Sequence, residues 1–200
     1  MKLISPLLLF FLDVHNLKFN KMLSLLLLLV ASISAEELVK LGHDKYLDAK
    51  SEKGWKKLNR VEPDKKLHLT FAIKQQHIDN LADLAKEISN PKSPFYGRYM
   101  TMEQINEFAA PASEAVNKVK KWLRSHNVTD CTLTLSKDFM NCAMSCSTAE
   151  KLLPGAVFHY YMNPKVSESV IRSTSSYYVP VSVSKYLDFV WGIHRFPAVK

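Results

Sequence analysis

The segment Leu67-His68-Leu69-Thr70-Phe71-Ala72-Ile73-Lys74 alternates Leu67, Leu69, Phe71 and Ile73 with His68, Thr70, Ala72 and Lys74. A period of two sends the first set to one face of a strand and the second to the other, so the spacing predicts a half-buried β-strand. Just beyond it the period changes. Ile78, Leu81, Leu84, Ala85 and Ile88 recur at helical spacing. Asn90-Pro91-Lys92-Ser93-Pro94 stops that helix, because a residue before proline is pushed out of the helical region. Thr101 with Gln104 reads as a capping box for a short helix carrying Ile105 and Phe108. Pro111 can open a third helix, whose apolar stripe is Val116, Val119, Trp122 and Leu123.

After Asn127 the period returns to two. Thr132–Ser136 and Phe139–Ser145 read as paired strands joined near Lys137-Asp138. Ser147 and Glu150 read as a second capping box, and Pro154-Gly155 ends that short helix. Val157–Met162 predicts a strand, Val170–Val181 a further extended segment, and Ser184–Trp191 a last helix with Gly192 at its end. The order strand–helix–strands–helix–strand, with two helices inserted, fits an α+β sandwich of the ferredoxin-like type: an antiparallel sheet with helices on one face. There are no internal repeats and no low-complexity tract.

The chain of 200 residues is 47% hydrophobic and 23% charged, which is enough for one globular domain plus a leader. Lys18 and Lys21 precede the apolar run Leu23–Val30, and the small residues of Ala31-Ser32-Ile33-Ser34-Ala35 follow. Basic, apolar and small in that order is a signal peptide, so residues 1–35 read as leader and 36–200 as the mature domain, starting at Glu36. A second apolar stretch, Leu7–Leu12, lies upstream, which makes Met22 an alternative initiator. Both runs fall short of the roughly 20 residues a membrane span needs. The reading is therefore a secretory-pathway protein, lysosomal or extracellular, with no membrane attachment after signal cleavage.

Removing Lys2, Lys18, Lys21 and Asp13 with the leader lowers the formal net charge from +8 to +6. Six histidines remain, so acid would raise that charge further. Lys118, Lys120, Lys121 and Arg124 cluster, but aromatics do not alternate with them as a nucleic-acid stacking platform requires. A solvated helix face, or docking against an acidic protein, explains them better. Cys131, Cys142 and Cys146 imply one disulfide and one free thiol in an oxidising compartment. Cys131 and Cys142 fall on the two sides of the predicted hairpin, where cross-strand pairing brings Cβ atoms into bonding range; Cys142 and Cys146 lie too close along one strand. Zinc would need a fourth ligand and closer pair spacing, and no metal or cofactor is expected. Asn127-Val128-Thr129 is a glycosylation sequon at the end of the third helix.

Ser93-Pro94-Phe95-Tyr96-Gly97-Arg98-Tyr99-Met100 resembles the Ser-Pro-x-Tyr-Gly-x-x-Leu motif in the activation domain of the sedolisins, the serine-carboxyl peptidases, with methionine in the leucine place. The resemblance runs from about Gly54 to Pro197. Trp122-Leu123, Asp138-Phe139, Ala149-Glu150-Lys151-Leu152-Leu153-Pro154-Gly155-Ala156, Phe158-His159-Tyr160 and His194-Arg195-Phe196-Pro197 fall along it in order. It implies a ferredoxin-like domain, similar to subtilisin propeptides, that covers a catalytic domain, assists its folding, keeps it inactive at neutral pH and is removed by self-cleavage in acid. It also implies cysteines at places equivalent to Cys131 and Cys142.

The family's catalytic serine lies in a Ser-Gly-Thr-Ser-type motif, with a glutamate, an orienting aspartate and an oxyanion-hole aspartate. No such serine motif occurs in these residues. No catalytic residue is therefore carried over, nor the calcium site of family catalytic domains. The implied partner is a cognate sedolisin-type catalytic domain, in cis, or in trans if the domain is a stand-alone propeptide-like inhibitor. An open reading frame beyond Lys200 with that serine motif would mark a precursor, and a stop codon an inhibitor. In the motif itself Pro94 fixes backbone φ, Gly97 permits a positive one, and Tyr96 and Tyr99 offer flat faces with a hydroxyl each. It can be a turn that packs two helices, with Ser93 and Gly97 structural, or a direct contact with the enzyme. His194 and Arg195 can line an active cleft and act as a pH switch, or simply bond a carboxylate.

Overall fold

The computed structural model describes residues 36–41, 54–166 and 169–198. The leader read over residues 1–35 lies outside them. In chain order the elements are β1 (Leu38–Leu41), β2 (Lys56–Arg60), β3 (Lys66–Ile73), α1 (Ile78–Ser89), α2 (Met102–Ala109), α3 (Ser113–Ser125), β4 (Cys131–Leu133) and β5 (Phe139–Ser145). There follow α4 (Cys146–Leu152), β6 (His159–Met162), β7 (Val170–Arg172), β8 (Tyr177–Pro180), α5 (Val181–Ser184) and β9 (Leu187–Trp191).

The main sheet has the order β4-β5-β3-β9 and every pairing in it is antiparallel. Counting only those strands, the first strand lies between the fourth and the third, with the second at the edge, which is the ferredoxin-like order reached through two helical crossovers. The opening segment is the central β3. Its residues Leu67, Leu69, Phe71 and Ile73 are buried, and they meet Val119, Trp122 and Leu123 of α3 and Ala149 and Leu152 of α4. Phe71 meets Trp122 edge to face at 5.9 Å between centroids. Each such side chain stabilises the fold by about 1.5–3 kcal/mol through burial. Both core helices thus cover one face of the sheet, and among the described residues no helix covers the other. Beside it lie the strand pair β1-β8 and the antiparallel three-stranded sheet β2-β6-β7.

The inserted helices are α1 and α2. Thr101 and Gln104 make the reciprocal capping box at the start of α2. Four sequence expectations need correction. Ser184–Trp191 is no helix: α5 ends at Ser184 and Leu187–Trp191 is the edge strand β9. The cause is a bulge, since Ile73 pairs with Leu187 and Ala72 with Phe189, leaving Asp188 unpaired. That extra residue separates the inward Leu187 and Val190 by three positions, a helical spacing generated by a strand. The second capping box is also displaced. Ser145 caps α4 by accepting from the Thr148 amide at 3.2 Å, so β5 runs straight into the helix. Glu150 instead accepts from the Phe158 amide at 3.1 Å and from Arg60 at 2.6 Å. The segment Val170–Val181 is two strands in different sheets, β7 against β6 and β8 against β1. Pro111 lies two residues before α3, whose cap is Ala112.

Candidate docking surface

The bare face of the main sheet is built by the same alternation that makes the core. Thr70 pairs with Asn141 and Trp191, and Ala72 pairs with Phe139 and Phe189, so these residues share the face opposite the helices. Phe139 is 37% exposed, Phe189 36% and Trp191 48%. The rows Phe139–Ala72–Phe189 and Asn141–Thr70–Trp191 form a flat, largely apolar patch spanning three strands, with His68 exposed on the same side of β3. An exposed apolar patch on a sheet suits another protein surface.

His194 and Arg195 part company. After Trp191 the chain turns at Gly192, whose φ is +97° and where a Cβ would stand 3.0 Å from the His68 carbonyl oxygen. Arg195 then folds back, with its guanidinium 5.3 Å from the centre of the Trp191 ring, adding a cation to the edge of the patch. His194 faces inward. Its Nδ1 lies 2.7 Å from the Ser173 carbonyl oxygen and its ring stacks on Tyr177 at 5.3 Å. Burial pushes its pKa below the usual 6.5, while the bond to Ser173 pulls the other way. Around this segment Ser173 donates its amide to the Ile193 carbonyl, and Arg172 Nε donates to the Arg195 carbonyl at 2.6 Å. Phe196 is clamped between Trp55 and Tyr161, at 5.5 and 4.9 Å. Residues 192–196 are therefore held in place up to the point where the chain leaves the domain's core.

The motif loop divides into scaffold and display. Ser93 Oγ donates to Glu87 at 2.7 Å and accepts from the Phe95 amide. The amide of Gly97, with φ +73°, donates to the Ile88 carbonyl at 3.0 Å. Those bonds fix the turn between α1 and α2, yet its aromatic side chains do not fill the space between the helices. Phe95, Tyr96 and Tyr99 are exposed, Tyr99 at 71%, and α1 buries none of its residues completely. Leu84, Arg98, Tyr99, Met100 and Phe108 line a shallow groove there. The turn is tied by hydrogen bonds at Ser93 and Gly97 and is open to solvent at its aromatics.

Cys131 and Cys142 are direct partners across β4 and β5 and are joined by a disulfide. Cys146 is a buried free thiol whose pKa is pushed up to about 11 by burial and by Glu150. Asn127 is exposed, with φ +60° just past α3. His77 adopts positive φ before α1 and its ring meets Phe108 at 5.3 Å, and His159 is half-buried in β6. Lys118, Lys120, Lys121 and Arg124 belong to α3 and are exposed, leaving its buried face to Val119, Trp122 and Leu123. Among the described residues no group of His, Cys, Asp and Glu can hold a metal, and no helix is long and apolar enough to cross a membrane. Sequence reasoning missed the patch itself. The helical reading of 184–191 hid Phe189 and Trp191, although their pairing with the alternation of β3 was readable once the bulge is allowed.

The chain belongs to the family described as Pro-kumamolisin, activation domain, which matches residues 53–196. Over 144 residues it is 42% identical to tripeptidyl-peptidase 1 of Rattus norvegicus, 39% to that of Homo sapiens and 40% to that of Canis lupus familiaris, covering 72% of this chain each time. Each match spans only 26% of the relative's length, about a quarter.

Proposed function

We propose that this domain docks through the open face of its main sheet onto a sedolisin-type catalytic domain of the tripeptidyl-peptidase kind. It assists that domain's folding and holds it inactive until acid releases it. The observation that carries the reading is the contiguous Phe139–Phe189–Trp191 patch on a sheet whose other face is fully used by the core. Desolvating aromatics on a rigid surface supplies affinity, and the basic balance of the chain, +8 overall, speeds encounter with an acidic partner. The leader reading places the protein in the secretory pathway, in the lysosome or outside the cell. A full-length precursor with such a catalytic domain would be a serine-type peptidase; these residues supply its regulatory part.

Acid release follows from charge on both sides. Partner carboxylates lose charge as pH falls, which weakens attraction to the basic domain. Inside the domain, burial shifts the His194 pKa below its usual 6.5 and so favours the neutral ring. A group whose folded pKa lies below its unfolded 6.5 binds fewer protons folded than unfolded in that window, so stability is complete above 6.5 and is lost as pH falls toward the folded value. Protonation there loosens the segment carrying Arg195 beneath Trp191. The test is binding of the purified chain to a tripeptidyl-peptidase catalytic domain at neutral pH and in mild acid. Tight binding that weakens steeply with acid supports the proposal; equal affinity at both removes the switch, and no binding at neutral pH removes the function.

A further inference from the structure

We infer that Asn127 is an N-glycan acceptor, so that the domain carries an oligosaccharide on its helix-covered side. Asn127-Val128-Thr129 is the sole Asn-x-Ser/Thr sequence in the 200 residues. The structure presents it in a definite way. Val128 is 2% exposed, lies in the core, and donates its amide to the Leu123 carbonyl at 3.0 Å. Driving the middle residue inward leaves its neighbours Asn127 and Thr129 both exposed. The backbone amide of Asn127 donates to the Arg124 carbonyl at 3.0 Å, which fixes the backbone while the residue itself stays exposed. The exposed side-chain amide therefore has room around it for an attached group. Asparagine tolerates the φ of +60° found here, but glycine does so more readily, and capping alone does not call for a threonine two residues on.

The location accommodates a bulky polar group. The residue follows α3, on the layer that covers the inner face, and precedes β4, the edge strand farthest from β9. Phe189 and Trp191 lie on β9 at the opposite edge. In the modification, Asn127 Nδ2 attacks C1 of the sugar on a lipid-pyrophosphate-linked oligosaccharide. The C1–O bond to pyrophosphate breaks, the lipid pyrophosphate leaves with the electron pair, and Nδ2 gives up one proton.

The experiment translates the full chain behind a secretory leader of known function in the presence of endoplasmic-reticulum membranes, with a secreted glycoprotein as internal control. The wild-type chain should show one mobility step that an amide-cleaving glycosidase removes, converting Asn127 to aspartate in the mapped peptide. Thr129→Ser should keep the step, and Thr129→Ala and Asn127→Gln should lose it. Asn127→Gly should lose it while folding normally, which separates acceptor from helix cap. Attachment precedes folding, so the total translated material is scored and a misfolded variant still reports. An unmodified wild-type chain beside a modified control would overturn the inference, as would a step that survives Thr129→Ala.

Discussion

Cutting the Cys131–Cys142 bridge by the double change C131S/C142S should lower stability by about 3 kcal/mol, from the entropy that a loop this short returns to the unfolded chain. The loop is set by a sequence separation of 11, with β4 and β5 paired directly at the bridge. For a domain of this size each kcal/mol shifts Tm by roughly 2–4 °C, so a drop of about 6–12 °C is expected. Thermal unfolding followed by circular dichroism reads it, and wild-type protein in reductant should move toward the same value. Cys146 bears on the interpretation. With its pKa near 11 the thiolate is scarce at neutral pH, so it cannot readily attack the bridge, and it should resist alkylation in the fold and react on denaturation. A Tm within about 2 °C of wild type would mean that β4 is held by its ladder and Val128 alone, and would refute the loop-entropy reasoning. Rapid alkylation of Cys146 in the native protein would refute its burial.

Gly155→Ala should cost about 3 kcal/mol in urea unfolding, because φ is +93° and the new Cβ would stand 2.5 Å from the Ser176 carbonyl oxygen. Gly97→Ala meets nothing within 4 Å, so it should cost only the left-handed strain of about 1–2 kcal/mol. Trp191→Ala should weaken docking up to about 100-fold: a 48% exposed ring of about 250 Å² offers ~120 Å², or ~3 kcal/mol at ~25 cal/mol/Å². Binding titrations under conditions where the variant stays folded check it, alongside an unfolding curve that should fall by up to about 3 kcal/mol, because the other half of the ring is already covered within the domain. His194→Gln should flatten the loss of stability on acidification below 6.5, since the buried group that must gain a proton is gone; Tm measured against pH distinguishes this from a uniform drop.

The central strand was fully legible, because Leu67, Leu69, Phe71 and Ile73 face a core on one side only and the period of two survives intact. So was α2, through its capping box, whereas the main sheet was legible only in β3, β4 and β5, because its fourth strand β9 read as a helix. What failed did so locally. The bulge at Asp188 imitated a helix, and Ser145 outcompeted Ser147 as cap because β5 feeds α4 with no linker. The candidate surface was harder to see. Exposed Phe139, Phe189 and Trp191 look like core residues in sequence, and only strand pairing shows that Ala72 and Thr70 align them on the face the helices leave bare. His194 and Arg195 are adjacent in sequence, yet the turn at Gly192 sends one ring inward onto Tyr177 and the other side chain outward onto Trp191.

Two apolar surfaces compete for the partner, the sheet face and the aromatic loop, and side-chain footprinting by hydroxyl radicals in the complex with a tripeptidyl-peptidase catalytic domain separates them. Trp191, Phe139 and Phe189 should become protected on binding at neutral pH and return to full reactivity in acid, while Tyr99 stays reactive throughout. Protection of Phe95, Tyr96 and Tyr99 with no change at Trp191 would contradict docking through the sheet.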